Sequence, residues 1–172
     1  VAPLLQVLLR RGQQGIAARG DYLSGRAHPP VFSGDRLRPD RMMALARDVA
    51  ADAIPPMVRL RVISESFSAS AGLAGLSERL FDTPAAVARL WRGFAYRQRM
   101  TVSAAATRDP NGRDLRFRWV LLSGDPERVR ITPQGAAGAH AEIAVAWHPR
   151  RRVAPWSDRR TDRVDIGVFA DN

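Results

Sequence analysis

VSAAATRDPNGRDLRFRW (residues 102–119) decides how this chain is read. It opens in a run of small residues, MTVSAAA (100–106), that suits a closely packed strand, and passes into dense turn chemistry, RDPNGRD (108–114). Pro110 fixes φ and Gly112 permits positive φ, so a tight turn can form there, with Asp109 and Asn111 able to bond nearby backbone amides. LRFRWVLL (115–122) then alternates, setting Leu115, Phe117 and Trp119 on one face against arginines on the other. That is the period-2 signature of a half-buried strand.

The same texture runs on toward the C-terminus. After a turn at Ser123-Gly124-Asp125-Pro126, ERVRI (127–131) places Val129 and Ile131 on one side. HAEIAVAWH (140–148) aligns Ile143, Val145 and Trp147, and RVDIGVFA (163–170) aligns Val164, Ile166 and Val168. Between them lies a Pro- and Arg-rich loop, 149–162. Short alternating runs with frequent turns are the pattern of an antiparallel sandwich.

Upstream the pattern is different. Leu4, Leu5, Leu8, Leu9 and Ile16 give residues 3–19 an amphipathic helical spacing, weakened by Gly12 and Gly15. GDYLSGRAHPPVFSGD (20–35) reads as loop, and Asp40 is placed as the N-cap of a helix over 41–52 that Pro55-Pro56 stops. MVRLRVI (57–63) sets Val58, Leu60 and Val62 on one strand face. Residues 66–79 are mostly small and read as flexible. Asp82-Thr83-Pro84 followed by AAVARLWRGF predicts a short helix ending near Gly93.

The small-residue strand, the Asp-Pro-Asn-Gly loop and the Phe117-x-Trp119 strand together resemble the second strand, loop and third strand of PKD-like and related immunoglobulin-like modules of bacterial exported proteins. RVDIGVFADN (163–172), ending in Asp-Asn, resembles their penultimate strand. The resemblance covers about 70 residues at the C-terminal end. It implies that Trp119 is the large core side chain between two sheets, that one further strand is missing after Asn172, and that the compartment is extracytoplasmic, periplasmic or secreted. Two departures stand out: the glycine-rich continuation after the tryptophan is replaced by Val120-Leu121-Leu122-Ser123-Gly124-Asp125, and the last strand is not present.

The expected fold is therefore α+β. A helical and irregular region (1–56), possible tail of an upstream domain, leads into an incomplete immunoglobulin-like sandwich (57–172) with a helical insertion at about 64–98.

Charge narrows the partners. The formal net charge is +10 and every one of the 27 basic residues is arginine, a usage expected of a GC-rich coding sequence. The excess is spread along the chain: residues 1–98 hold 14 arginines against 8 acids, and residues 99–172 hold 13 against 9. Phosphate affinity needs clustered cations, and the dense runs Arg150-Arg151-Arg152 and Arg159-Arg160 fall in a loop, so a solvated surface is expected in place of a specific nucleic-acid site. No apolar run approaches the roughly 20 residues of a membrane-spanning helix. Cysteine is absent, which removes disulfides, thiolate metal sites and thiol catalysis.

Four oxygen-bearing residues are the candidate metal ligands. Loops at one end of a sandwich would bring Asp109, Asn111 and Asp114 near Asp171, with Asn172 beside it, and calcium takes six to eight such oxygens; the competing expectation is that they are turn residues satisfying amides. Asp21, Tyr22 and His28 could do acid–base chemistry but stand without a nucleophile. His140 and His148 are isolated, with no paired-histidine zinc spacing. Trp91 and Trp147 are expected in the core, and Trp156, in the loop, is the candidate for carbohydrate contact. The function expected is a non-catalytic accessory, binding or spacer module with a protein or carbohydrate ligand. The alternatives are the C-terminal part of a hydrolase-like enzyme, with a pocket around Asp21–Phe32 open toward an upstream domain, and nucleic-acid binding through a contiguous arginine face.

Overall fold

The computed structural model describes residues 2–50, 52–70, 73–153 and 157–172. Three helices come first: α1 (Ala2–Arg11), α2 (Arg19–Tyr22) and α3 (Pro39–Arg47). The strands follow: β1 (Arg61–Glu65), β2 (Arg79–Asp82), β3 (Val87–Arg89), β4 (Arg97–Ser103), β5 (Arg116–Ser123), β6 (Val129–Gln134), β7 (His140–Ala146), β8 (Arg151–Arg152), β9 (Arg160–Thr161) and β10 (Asp165–Asp171). The fold is mixed, mostly strands in antiparallel sheets with few helices, and it has a sandwich-like arrangement.

One sheet has the order β1-β4-β7-β6, and β10 pairs with β5 in a second. Strand alternation sets what lies between them. In β4 and β7 the register Met100↔Ile143 and Val102↔Ala141 puts these side chains side by side on one face. Val102, Ala141 and Ile143 form the buried centre, and Leu60, Ile131 and Val145 pack beside them from the same sheet. Trp119 of β5 and Ile166 of β10 close over it from the other. Trp119 is thus core, as expected, with its indole N–H donating to the Gly138 carbonyl at 2.8 Å, which satisfies the ring's one polar group.

The N-terminal region packs on the outer face of β10, where Phe169 meets Tyr22 and His28 edge-on at 5.7 and 5.1 Å between centroids. Arg19 adds an ion pair to Asp171 at 2.6 Å. The helix expected over 3–19 ends at Arg11, and Gly12 after it lets α3 pack close: a Cβ there would collide with the Met42 side chain and the Leu8 carbonyl. The helix expected over 41–52 is shorter and starts earlier. Arg38 is its N-cap, Pro39 takes the first turn, and Asp40 lies inside that turn instead of capping it.

The helical insertion expected at about 64–98 is corrected. Among its described residues the only helical turn is a 3-10 turn at Leu73–Gly75, and the segment expected as a helix after Asp82-Thr83-Pro84 is the second half of a hairpin, β2–β3. Thr83 and Ala86 exchange backbone bonds at 2.8 and 3.3 Å, turning the chain back at Pro84. Arg89 explains why the return leg is held extended: its guanidinium, almost wholly buried, reaches both Glu65 (2.5 Å) and Asp82 (2.7 Å). An isolated alanine-rich run this short gains too little from helix formation to compete with such bonds.

Candidate binding groove

Two strands cannot cover four. The inner face of the four-stranded sheet continues past the reach of β5 and β10, and the uncovered part lines an open groove of about 1730 Å3. Met100 and Val145 lie on its apolar floor beside the buried Val102 and Ile143, α1 and the β2–β3 hairpin contribute its flanks, and every residue from 162 to 171 borders it. Exposure rises along β7 toward the open end. Ile143 is 8% exposed, whereas Trp147, four residues on and on the same face, is 51% exposed. Trp147 is therefore a groove-rim residue, correcting its expected place in the core.

Trp91 also lines the groove, but from an extended segment instead of a helix. It meets Phe67 edge-on at 6.2 Å, and its indole N–H donates to the Ala95 carbonyl at 3.0 Å. Glu78 holds this rim in place. Its carboxylate is buried and accepts three backbone N–H groups, from Ser68 (2.8 Å), Arg92 (2.9 Å) and Gly93 (2.8 Å). Burial opposes the charge, but the three amides outweigh it and hold the carboxyl below its ordinary range. Beside it, burial likewise disfavours the Arg89 charge, and the bonds to Glu65 and Asp82 overcome that and raise its pKa.

The titratable residues singled out in the sequence are engaged in the fold's own bonds. Asp21 accepts from the amides of Ala18 (3.0 Å) and Ala17 (3.1 Å), which lower its pKa, and pairs with Arg26 at 2.9 Å. His28 lines the groove and donates from Nε2 to the Tyr22 carbonyl at 2.8 Å. Burial, with Arg10 nearby, lowers its pKa, and burial raises that of Tyr22. Buried His148 uses both ring nitrogens: Nδ1 faces the Ala146 carbonyl at 2.7 Å and Nε2 accepts from the Asp125 amide at 3.1 Å. His140 is half-buried at the start of β7.

The four expected calcium ligands do not converge. Asp109 accepts from the Arg113 amide at 3.0 Å, closing the turn in which Gly112 has φ +71°. Asn111 donates its amide to the Ile54 carbonyl at 3.2 Å. Asp114 is exposed. Asp171 faces two guanidinium groups, Arg19 at 2.6 Å and Arg118 at 3.4 Å. The two loops do share one end of the molecule, since the Asn172 amide lies 3.4 Å from Asp109. Among the described residues no three acidic or histidine side chains gather as a metal site.

In the arginine-rich loop, Arg150 lies 3.7 Å from Asp162 and Arg152 lies 3.9 Å from Asp158. No helix among the described residues is long and apolar enough to cross a membrane. Trp156, the expected carbohydrate contact, lies outside the described residues.

Glu78 and Arg89 escaped the sequence reading. The available signal was a lone acid in the small-residue stretch 66–79; its sequence neighbour Arg79 pairs with Glu65 instead, at 2.9 Å. Comparison with protein-family profiles, curated proteins and solved structures finds no match to this chain.

Proposed function

We propose that this chain is a non-catalytic binding or spacer module of a larger exported bacterial protein, built on an incomplete immunoglobulin-like sandwich of the PKD-like kind, with the groove as its binding site. The open apolar groove carries the reading. Contiguous apolar surface of this extent is costly to leave in water, and on soluble proteins it marks interaction sites.

Strand order supports the immunoglobulin-like part. A constant-type domain joins its first, second, fifth and fourth strands in one sheet and its third, sixth and seventh in the other. With the two small hairpins set aside, β1-β4-β7-β6 follows the first set and β5-β10 supplies the third and sixth strands. The position of the seventh, beside β10, has no strand among the described residues.

Titration with the apolar fluorophore 1-anilinonaphthalene-8-sulfonate tests the groove. One equivalent is expected to bind while near-ultraviolet circular dichroism reports intact packing, and Trp147→Glu at the rim weakens it at least tenfold. Substoichiometric binding, or binding indifferent to Trp147→Glu, would overturn the site. Turnover of a chromogenic ester, glycoside or phosphate that the same variant abolishes would overturn the non-catalytic assignment.

A further inference from the structure

We infer that one end of the four-stranded sheet docks on an anionic lipid surface, with Phe94 inserting between the headgroups and Arg97, Arg99 and Arg130 facing lipid phosphates. The site is separate from the groove, whose lining includes none of Phe94, Arg97 and Arg130, and it does not depend on what binds there.

Two observations carry it. The first is a loop that holds a phenylalanine in water. Phe94, between β3 and β4, is fully exposed. The chain on both sides of it is tied down. Glu78 accepts from the amides of Arg92 (2.9 Å) and Gly93 (2.8 Å), the Trp91 indole N–H donates to the Ala95 carbonyl (3.0 Å), and the Tyr96 carbonyl accepts from the Trp147 amide (2.7 Å). A ring left in water contributes no burial to folding, whereas a loop ordered in advance lowers the cost of binding. Tyr96 is 62% exposed, and its hydroxyl accepts from Arg128 at 3.2 Å, while the same guanidinium reaches the Trp147 carbonyl at 3.0 Å. A wholly apolar ring foremost, with amphipathic tyrosine and tryptophan beside it, matches how these side chains distribute across a membrane–water interface.

The second observation is the charge beside the loop. Arg97 lies opposite Ala146, and Ala144 lies between Arg99 and Arg130 in the register of β4, β7 and β6. Alternation puts all five on the outer face, away from Met100 and Ile143. At the usual strand spacing Arg99 and Arg130 are about 10 Å apart, with only a methyl group between them. All three arginines are exposed. Arg99 shares Glu142 at 3.3 Å, and Arg97 and Arg130 have no ion pair among the described residues. Clustered cations of this kind are drawn to an anionic leaflet.

Shape favours lipid over other anionic partners. A stable protein interface takes about 20–30 residues a side, far more than one projecting ring and its neighbours supply, whereas a fluid bilayer needs no matching surface. Single-stranded nucleic acid stacks on platform rings, and Phe94 is open on both faces instead of lying against the protein.

Co-sedimentation with vesicles tests the inference. The whole chain is expected to bind vesicles of equal parts phosphatidylglycerol and phosphatidylcholine, to ignore phosphatidylcholine alone, and to dissociate as salt rises. Phe94→Ala, and Arg97→Glu combined with Arg130→Glu, should each weaken binding at least tenfold with near-ultraviolet circular dichroism unchanged, since all three side chains are exposed. The chain has no cysteine, so an environment-sensitive dye on Phe94→Cys reports that position alone, and its emission should shift to the blue on the mixed vesicles. Binding indifferent to Phe94→Ala, or a dye still in water when the chain is bound, would overturn insertion. Equal binding to phosphatidylcholine alone would overturn the charge selection, and no binding to mixed vesicles at low salt would overturn the whole inference. Binding of oligothymidylate that Phe94→Ala abolishes would make single-stranded nucleic acid the occupant, and a dimer in sedimentation lost in Phe94→Ala would make it a second copy; either result overturns the lipid assignment.

Discussion

Replacing Glu78 by glutamine isolates the bonds that hold the groove rim. The change keeps the shape of the side chain and removes its charge and one acceptor. A glutamine carbonyl can still accept from Arg92 and Gly93, which share Oε1 in the wild type, but its amide then faces the Ser68 N–H in place of Oε2. One charge-assisted bond is lost and a buried donor is left opposite a donor, for a cost of about 3 kcal/mol. In a chain of this length that lowers the melting temperature by roughly 6–12 °C. Glu78→Ala strands all three amides and costs about 4 kcal/mol, less than three separate bonds, because water can enter the space vacated. Chemical denaturation at pH 7 measures both. The pH dependence supplies a second signature: the folded pKa of Glu78 lies below its ordinary 4.5, so its contribution is present above pH 4.5 and is lost as pH falls through the folded value. The gap between wild type and Glu78→Gln should close on acidification. Hydrogen exchange at the Arg92 and Gly93 amides should accelerate in both variants. A glutamine variant within about 0.5 kcal/mol of wild type at pH 7, the range of an ordinary surface substitution, would refute the clamp.

Three other perturbations follow from the same geometry. Arg89→Met leaves the buried Glu65 carboxylate with Arg79 as its remaining partner at 2.9 Å, so the cost should fall near the low end for a broken buried pair, about 3 kcal/mol; the double variant with Glu65→Met should recover most of it in the same denaturation assay. His28 is held below its ordinary value of 6.5 by burial and by Arg10, so the unfolded chain binds the proton more readily and stability should fall as pH drops below 6.5. His28→Phe, which keeps a ring against Tyr22 and Phe169, should remove that part of the slope between pH 7.5 and 5.5, and an unchanged slope would show that His28 does not cause it. Calcium at millimolar concentration should give no calorimetric heat and no rise in melting temperature, because Asp171 faces Arg19 and Arg118 and Asn111 presents its amide to Ile54; a saturable heat lost in Asp109→Ala would restore the ion site.

How far the sequence could be read depended on whether a side chain's fate was decided within its own strand. Alternation was enough for the sandwich strands: Trp119, Ile143 and Ile166 were assigned to strand faces that do meet in the core. It failed between residues 82 and 93, where Asp-Thr-Pro and an alanine-rich run imitate a helix start. The deciding bonds there are made by Arg89 to Glu65, 24 residues away, and by Glu78 to the amides of Arg92 and Gly93, and local propensity carries no trace of such partners. The candidate ligands around Asp109 show the same limit in another form. Their shared end of the molecule was foreseeable from the strand order, but not that Arg19, from the far end of the chain, would reach Asp171 first.

Trp147 marks the most consequential gap. Period 2 placed it correctly on the face of β7 that carries Ile143 and Val145, yet facing inward and being buried are separate properties. Burial requires a second layer that extends as far as the first, and here two strands lie against four. The apolar pattern of the inner face therefore continues beyond its cover, and among the described residues β10 pairs with β5 alone. An inner face that is apolar to its end makes sense physically if something covers it. The residues that look like surplus core in the sequence are then the ones that bear on binding.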